Sequence, residues 1–176
     1  MNVIKHYENV ALSNMDLIKM LDGKAKVVIY PDLIKYKNID QVLGKYGACF
    51  LLFEAKPKYG HWCCLFKTDE NKIEFFNPYG GYPDDSLDFI PMHFRQMTDQ
   101  LYPILSLLLL GSKYKLEYNQ YPFQMKAKDV KTCGRHCVCR LLCRHLSLNE
   151  YKRFLDFMSS KLHLNYDGIV ALITSQ

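Results

Sequence analysis

The stretch "KTCGRHCVCRLLCRH" (131–145) holds four of the chain's seven cysteines and two of its six histidines. Such a cluster supports three chemistries: a metal site, a disulfide knot, or one reactive thiol among bystanders. Structural zinc usually draws ligand pairs from two separate elements. Here Cys133, His136, Cys137, Cys139, Cys143 and His145 all fall on one predicted helix, and no second C-x-x-C pair exists elsewhere. Cys63 and Cys64 are adjacent in a predicted strand and face opposite ways. Cysteines along one helix have poor geometry for bridging. Cys137, Cys139 and Cys143 read as small core hydrophobes.

Cys133 stands apart. It follows Thr132 and precedes Gly134 at the start of the helix. Unpaired backbone N–H groups and the helix dipole favour a thiolate there, and Gly134 would let a substrate backbone approach. A nucleophile needs a base, and "YGHWCCLF" offers His61 at the opening of a strand. "IEFFNPYGG" puts Asn77 at the end of the next strand, sixteen residues later. Antiparallel neighbours place a strand start beside a strand end, so Asn77 could accept the imidazole N–H and fix the tautomer. For the oxyanion, "YNQYPFQMKAKDVKTC" supplies Gln120 and Gln124. Gln124, nine residues before Cys133, is the choice, because Gln120 still lies in a strand pattern.

The elements that must hold these groups can be traced along the chain. With 176 residues, 49% of them hydrophobic and 14% aromatic, the chain is long enough for one domain (1–176) with a sizeable core. A helix is expected over 8–23, with Ser13 or Asn14 as N-cap and Gly23 as stop. A short strand or loop follows at 25–31, then a short helix at 38–47. Three strand-like runs, 48–55, 61–68 and 72–78, form a central meander. Residues 86–110 read as helix broken near Pro91 and Pro103, with "PILSLLLLG" (103–111) as a buried segment. A strand at 113–120 precedes a helix over 133–146 capped by Thr132. A helix over 147–162 opens with the Ser147/Glu150 capping pattern, and 165–176 closes the chain. The fold class is α+β.

The net charge of +5 is mild, with lysines spread singly or in pairs. It reads as a solvated surface, with a weak association with DNA as the nucleic-acid alternative. No signal peptide is visible, and the apolar run at 103–111 is far short of the roughly 18–20 residues a membrane span needs. Reduced thiols in a cytosolic setting follow.

In that order, "GHWCCLF", "FFNPYGG", a glutamine and "TCGRHC" resemble the adenovirus-type cysteine proteases (adenain), in one clan with the proteases of SUMO and other ubiquitin-like proteins. The fit is nearest to the small maturation proteases of virophages and Maverick-type elements, and it covers roughly residues 14–172. The resemblance implies a central mixed sheet flanked by helices, His61 as base, Asn77 as its orienter, Gln124 as oxyanion donor and Cys133 as nucleophile. Trp62 and Gly134 would meet the substrate, and no metal or cofactor is implied. It further implies a monomer that cleaves capsid precursors after Gly or small residues, in the virion or in the virus factory of the host cytoplasm. Two departures stand out: Asn77 sits where many members carry Asp or Glu, and the spacing from Gln124 to Cys133 is long. A ubiquitin-type isopeptidase and a zinc-bound interaction module are the rival functions.

Overall fold

The computed structural model describes residues 3–175. Five strands make one sheet in the order β1-β2-β3-β4-β5. They are β1 Lys26–Ile29, β2 Ala48–Lys56, β3 Tyr59–Asp69, β4 Lys72–Phe76 and β5 Lys115–Tyr118. The middle three form the expected antiparallel meander. The edges differ: β1 runs parallel to β2, and β5 parallel to β4. The helices are α1 Val3–Asn9, α2 Asn14–Met20, α3 Ile39–Leu43, α4 Met92–Met97, α5 Ile104–Leu110, α6 Cys133–Leu142, α7 Leu148–Leu162 and α8 Tyr166–Ile173. The chain is thus α+β, a mixed sheet with helices on both faces. Among the described residues no helix is long and apolar enough to cross a membrane.

The apolar runs of β2 and β3 follow from burial on both faces. Side chains alternate along a strand, so each run feeds two cores. Phe50, Leu52, Trp62, Cys64, Phe66 and Phe76 pack under α6, α7 and α8 with Val138, Leu141, Tyr151 and Ile169. Cys49, Leu51, Phe53, Cys63, Leu65 and Phe75 face the other way, onto Tyr30, Leu33, Leu105 and Leu109. A strand covered on both sides reads as a continuous apolar run rather than an alternating one.

Several elements depart from expectation. The helix over 8–23 is interrupted. Ser13 accepts the Asp16 N–H and Asp16 bonds back to Ser13, and this capping box restarts the helix at Asn14. Residues 10–13 are left as a connecting segment. Residues 86–110 break at both prolines into a 3₁₀ turn at Asp85–Phe89, α4 and α5. On α5 only one face is buried: Leu105 and Leu109 are covered, while Leu107 and Leu110 are 60% and 76% exposed. Helix α6 stops at Leu142 rather than 146. The reason lies in Arg140, fully buried and bidentate to Glu74 at 2.9 and 2.8 Å. The same guanidinium donates to the carbonyls of Cys143 and Leu146, folding the chain over itself after the last turn. Helix α7 opens with the expected Ser147/Glu150 capping box.

Candidate active site

The Gly60–His61–Trp62 corner opens β3 against β2, with His61 opposite Phe53 and Gly60 opposite Glu54. A Cβ on Gly60 would lie 1.9 Å from the Phe53 carbonyl oxygen, so only glycine lets the strands approach here. His61 therefore sits at the sheet end, partly exposed. Its Nε2 lies 2.7 Å from Asn77 Oδ1, just past the end of β4.

The Asn77 side chain cannot turn. Its Oδ1 also accepts the backbone N–H of Tyr79 at 2.9 Å, a group that can only donate. Its Nδ2 donates to Ser86 Oγ at 3.2 Å. The backbone is held as well: Asn77 N–H donates to Asn119 Oδ1 at 3.0 Å, and Asn119 Nδ2 donates to the Asn77 carbonyl at 2.6 Å. With Oδ1 identified by the Tyr79 amide, His61 must donate through Nε2–H, which leaves Nδ1 unprotonated and free to accept. The imidazole is stacked on Tyr79, with centroids 4.4 Å apart and planes 13° off parallel. Burial pushes the His61 pKa down to about 4, helped by Lys126 and His136, and the Asn77 bond only partly restores it. His61 is neutral at neutral pH.

Cys133 is the first residue of α6 and is partly exposed. His61, Trp62, Gln124 and Cys133 line one hollow of about 140 Å³, together with Tyr79 and Leu12. The cysteine does not carry the thiolate expected from its helix start. Burial holds the thiol above its ordinary pKa, although the backbone N–H groups of Trp62, Gly134 and Cys133 itself favour the anion. A neutral thiol thus faces a hollow shared with a neutral imidazole.

Gln124 is 3% exposed, whereas Gln120 faces solvent. The backbone N–H groups of Phe123 and Gln124 both donate to the Pro78 carbonyl, at 2.8 and 2.9 Å, which fastens this loop to the turn after β4. The Gln124 Nε2 is held only loosely, 3.4 Å from both Tyr79 Oη and the Val130 carbonyl. Those long bonds leave the amide free to serve a stronger acceptor.

Two expectations need correction. Gly134 does not meet the hollow. It is buried, and a Cβ there would lie 3.3 Å from Leu12, Leu17 and Trp62, so its small size serves packing within the chain. Thr132 stands at the N-cap of α6 but makes no cap bond. Its hydroxyl donates instead to Asp167 Oδ1 at 2.5 Å. None of the other cysteines of the segment borders this hollow. Cys137 and Cys139 are buried in the core and Cys143 is partly exposed. Among the described residues no three His, Cys, Asp or Glu side chains converge as a metal site.

Asp167, Ser86, Asn119 and Leu12 are not among the expected site residues. Asp167, at the start of α8, gathers Thr132 Oγ1, His136 Nε2 at 3.0 Å and the Met125 N–H at 3.0 Å. Burial opposes its charge, but the bonds from His136, Thr132 and Met125 outweigh that and hold the carboxyl below its ordinary range. It ties the residue before Cys133 to the residue after Gln124. The one available signal was an acidic residue in the first turn of an apolar helix, "YDGIVALI". Leu12, in the segment between α1 and α2, accepts the Trp62 Nε1–H at 3.2 Å through its carbonyl and walls the hollow.

No family model matches the chain. Among curated proteins it is similar to "Uncharacterized protein V9" of Sputnik virophage, at 58% identity over 174 residues, 99% of each chain. Among solved structures it is similar to the "Central domain of uncharacterized Lpg1148 protein from Legionella pneumophila". That match has a TM-score of 0.43 and 14% identity, and covers 94% of each chain.

Proposed function

The chain belongs to one family with the virophage protein V9, and we propose that it is a cysteine endopeptidase of the adenain type that matures virion precursor proteins. The observation that carries this reading is the single small hollow lined by Cys133, His61 and Gln124, with the free nitrogen of His61 fixed by Asn77.

The chemistry starts from the neutral pair. As Cys133 Sγ attacks the scissile carbonyl carbon, its proton passes to His61 Nδ1 and the carbonyl π electrons move onto oxygen. The oxyanion is met by the Gln124 amide and the backbone N–H of Cys133. When the tetrahedral adduct collapses, the C–N bond breaks and His61 returns the proton to the departing amine. Water then enters: His61 takes its proton, the oxygen attacks the thioester carbon, the C–S bond breaks and the proton returns to sulfur. Asn77 accepts the Nε2–H throughout and stabilises the imidazolium without taking a proton.

A hollow of about 140 Å³ between Leu12, Trp62 and Gln124 suits an unbranched backbone more than a large side chain, which supports cleavage after Gly or another small residue. The virophage relative supports a virion or virus-factory setting. The test is incubation with virion precursor proteins of the same virus, followed by mass spectrometry of the new termini. New termini that appear with the native chain and not with Cys133→Ala support the proposal. Unprocessed precursors in both sink it.

A further inference from the structure

A second hollow, about 460 Å³, adjoins the first. The two share Tyr59, Gly60, His61 and Tyr79. Cys133, Gln124 and Trp62 border only the smaller one, while Phe53, Ala55, Phe89 and Ile90 border only the larger. The His61–Tyr79 stack is therefore a partition between a chamber that holds the nucleophile and a chamber that is mostly apolar.

Resting on the peptidase reading, we propose that the larger hollow is the leaving-group subsite and takes a bulky, uncharged apolar side chain that follows the scissile bond. The direction comes from the proton's path. The acyl part of the substrate must be bonded to Cys133 and so occupies the smaller chamber. The departing amine receives its proton from His61, so the chain beyond it runs past His61 into the larger one. The size ratio points the same way: a narrow slot on the acyl side, and a volume typical of ligand pockets on the other. Lys126 crosses the mouth, with Nζ 5.4 Å from the Tyr79 ring centroid and 5.2 Å from that of Phe89. Its stem adds apolar wall, and its charge, with that of Lys128, disfavours a basic side chain. Phe89 is 72% exposed in the free chain, as befits a wall that gains cover only when the hollow fills.

The experiment uses internally quenched peptides with Gly-Gly before the scissile bond and Phe, Leu, Ala, Gly or Lys after it. The expected result is kcat/KM about 10–100-fold higher for Phe or Leu than for Gly, a usual range for filling an apolar pocket, with Lys poorest. Ala127→Trp, at a residue that lines the hollow, should fill it and level the series by removing the gain for Phe and Leu. Phe89→Ala, a surface change with little risk to folding, should weaken the preference. Equal rates across the series, or a preference for bulk before the bond, would overturn the subsite and leave the peptidase reading intact. A preference unmoved by both variants would also overturn it. No cleavage of any peptide would remove the subsite together with the peptidase reading.

Discussion

Replacing Asn77 separates orientation from charge at His61. The side chain makes three bonds: from His61 Nε2–H, from the Tyr79 N–H and to Ser86 Oγ. The backbone links to Asn119 do not depend on it. Asn77→Ala loses all three bonds at a residue 2% exposed. At about 1 kcal/mol each the cost is about 3 kcal/mol of stability. The freed imidazole loses its tautomer, and activity should fall by about 10²–10⁴, the usual share of a positioned base. Asn77→Asp keeps every partner: a carboxylate accepts from His61 and Tyr79, and the Ser86 hydroxyl rotates to donate. It also puts a negative charge beside the imidazole, and an opposite charge this close raises a histidine pKa by about 1–3. The native His61 titrates at about 4. Protonated His61 cannot take the thiol proton, so the acid limb of kcat/KM should move up to about pH 5–7 in the Asp variant, with activity retained above it. The assay is kcat/KM against pH on a Gly-containing peptide, with circular dichroism at each pH to follow the fold. An acid limb that stays put in Asn77→Asp, or full activity in a folded Asn77→Ala, would refute Asn77 as the partner that sets His61.

Brief iodoacetamide labelling and peptide mapping should find Cys133 modified well ahead of Cys137 and Cys139, which are fully covered, with the partly exposed Cys143 intermediate; equal labelling would count against a distinct thiol. Gln124→Ala should lose about 10²–10³ in kcat with little change in KM, as removal of an oxyanion donor does, while the exposed Gln120 should tolerate Ala; the reverse order would dismiss Gln124. Asp167→Asn replaces one acceptor oxygen with a donor facing Thr132, His136 or the Met125 N–H, so kcat should fall more than KM rises and thermal stability should drop. Asp167→Glu should recover part of both, and a variant with native kcat would free Asp167 of any part in aligning Gln124 with Cys133.

What could be read from the chain, and what could not, divides by range. The adjacency of His61 and Asn77 was legible because two strand runs joined by a short turn can only pair antiparallel, start beside end. The covered strands were legible in "ACFLLF", and the Ser147 box in its own four residues. The direction of β1 and β5 was not, since a strand's pattern carries no sign of its neighbour's direction. The fate of the Thr132 hydroxyl was hidden for another reason. Local chemistry makes threonine a helix cap, and only a carboxylate 35 positions away, brought in by α8, draws it elsewhere. The exposed leucines of α5 mislead in the same way, because composition alone does not tell a one-sided helix from a buried one.

The walls of the small hollow come from distant parts of the chain. Leu12 meets Trp62 across 50 positions in the wall itself, and α6, which carries Cys133, is anchored at long range too: Arg135 Nε reaches the Tyr7 carbonyl across 128 positions and Arg135 Nη1 bonds Thr174. Contacts of such range form late, because their loop entropy must be met before they contribute anything. The sheet can therefore assemble while the thiol still lacks its final surroundings. A chain emerging from the ribosome has His61 and Asn77 long before α8 arrives to place Asp167 beside Thr132. On the peptidase reading proposed above, the thiol gains its full surroundings only once α8 has packed, so an earlier folding stage holds His61 and Asn77 without a finished site.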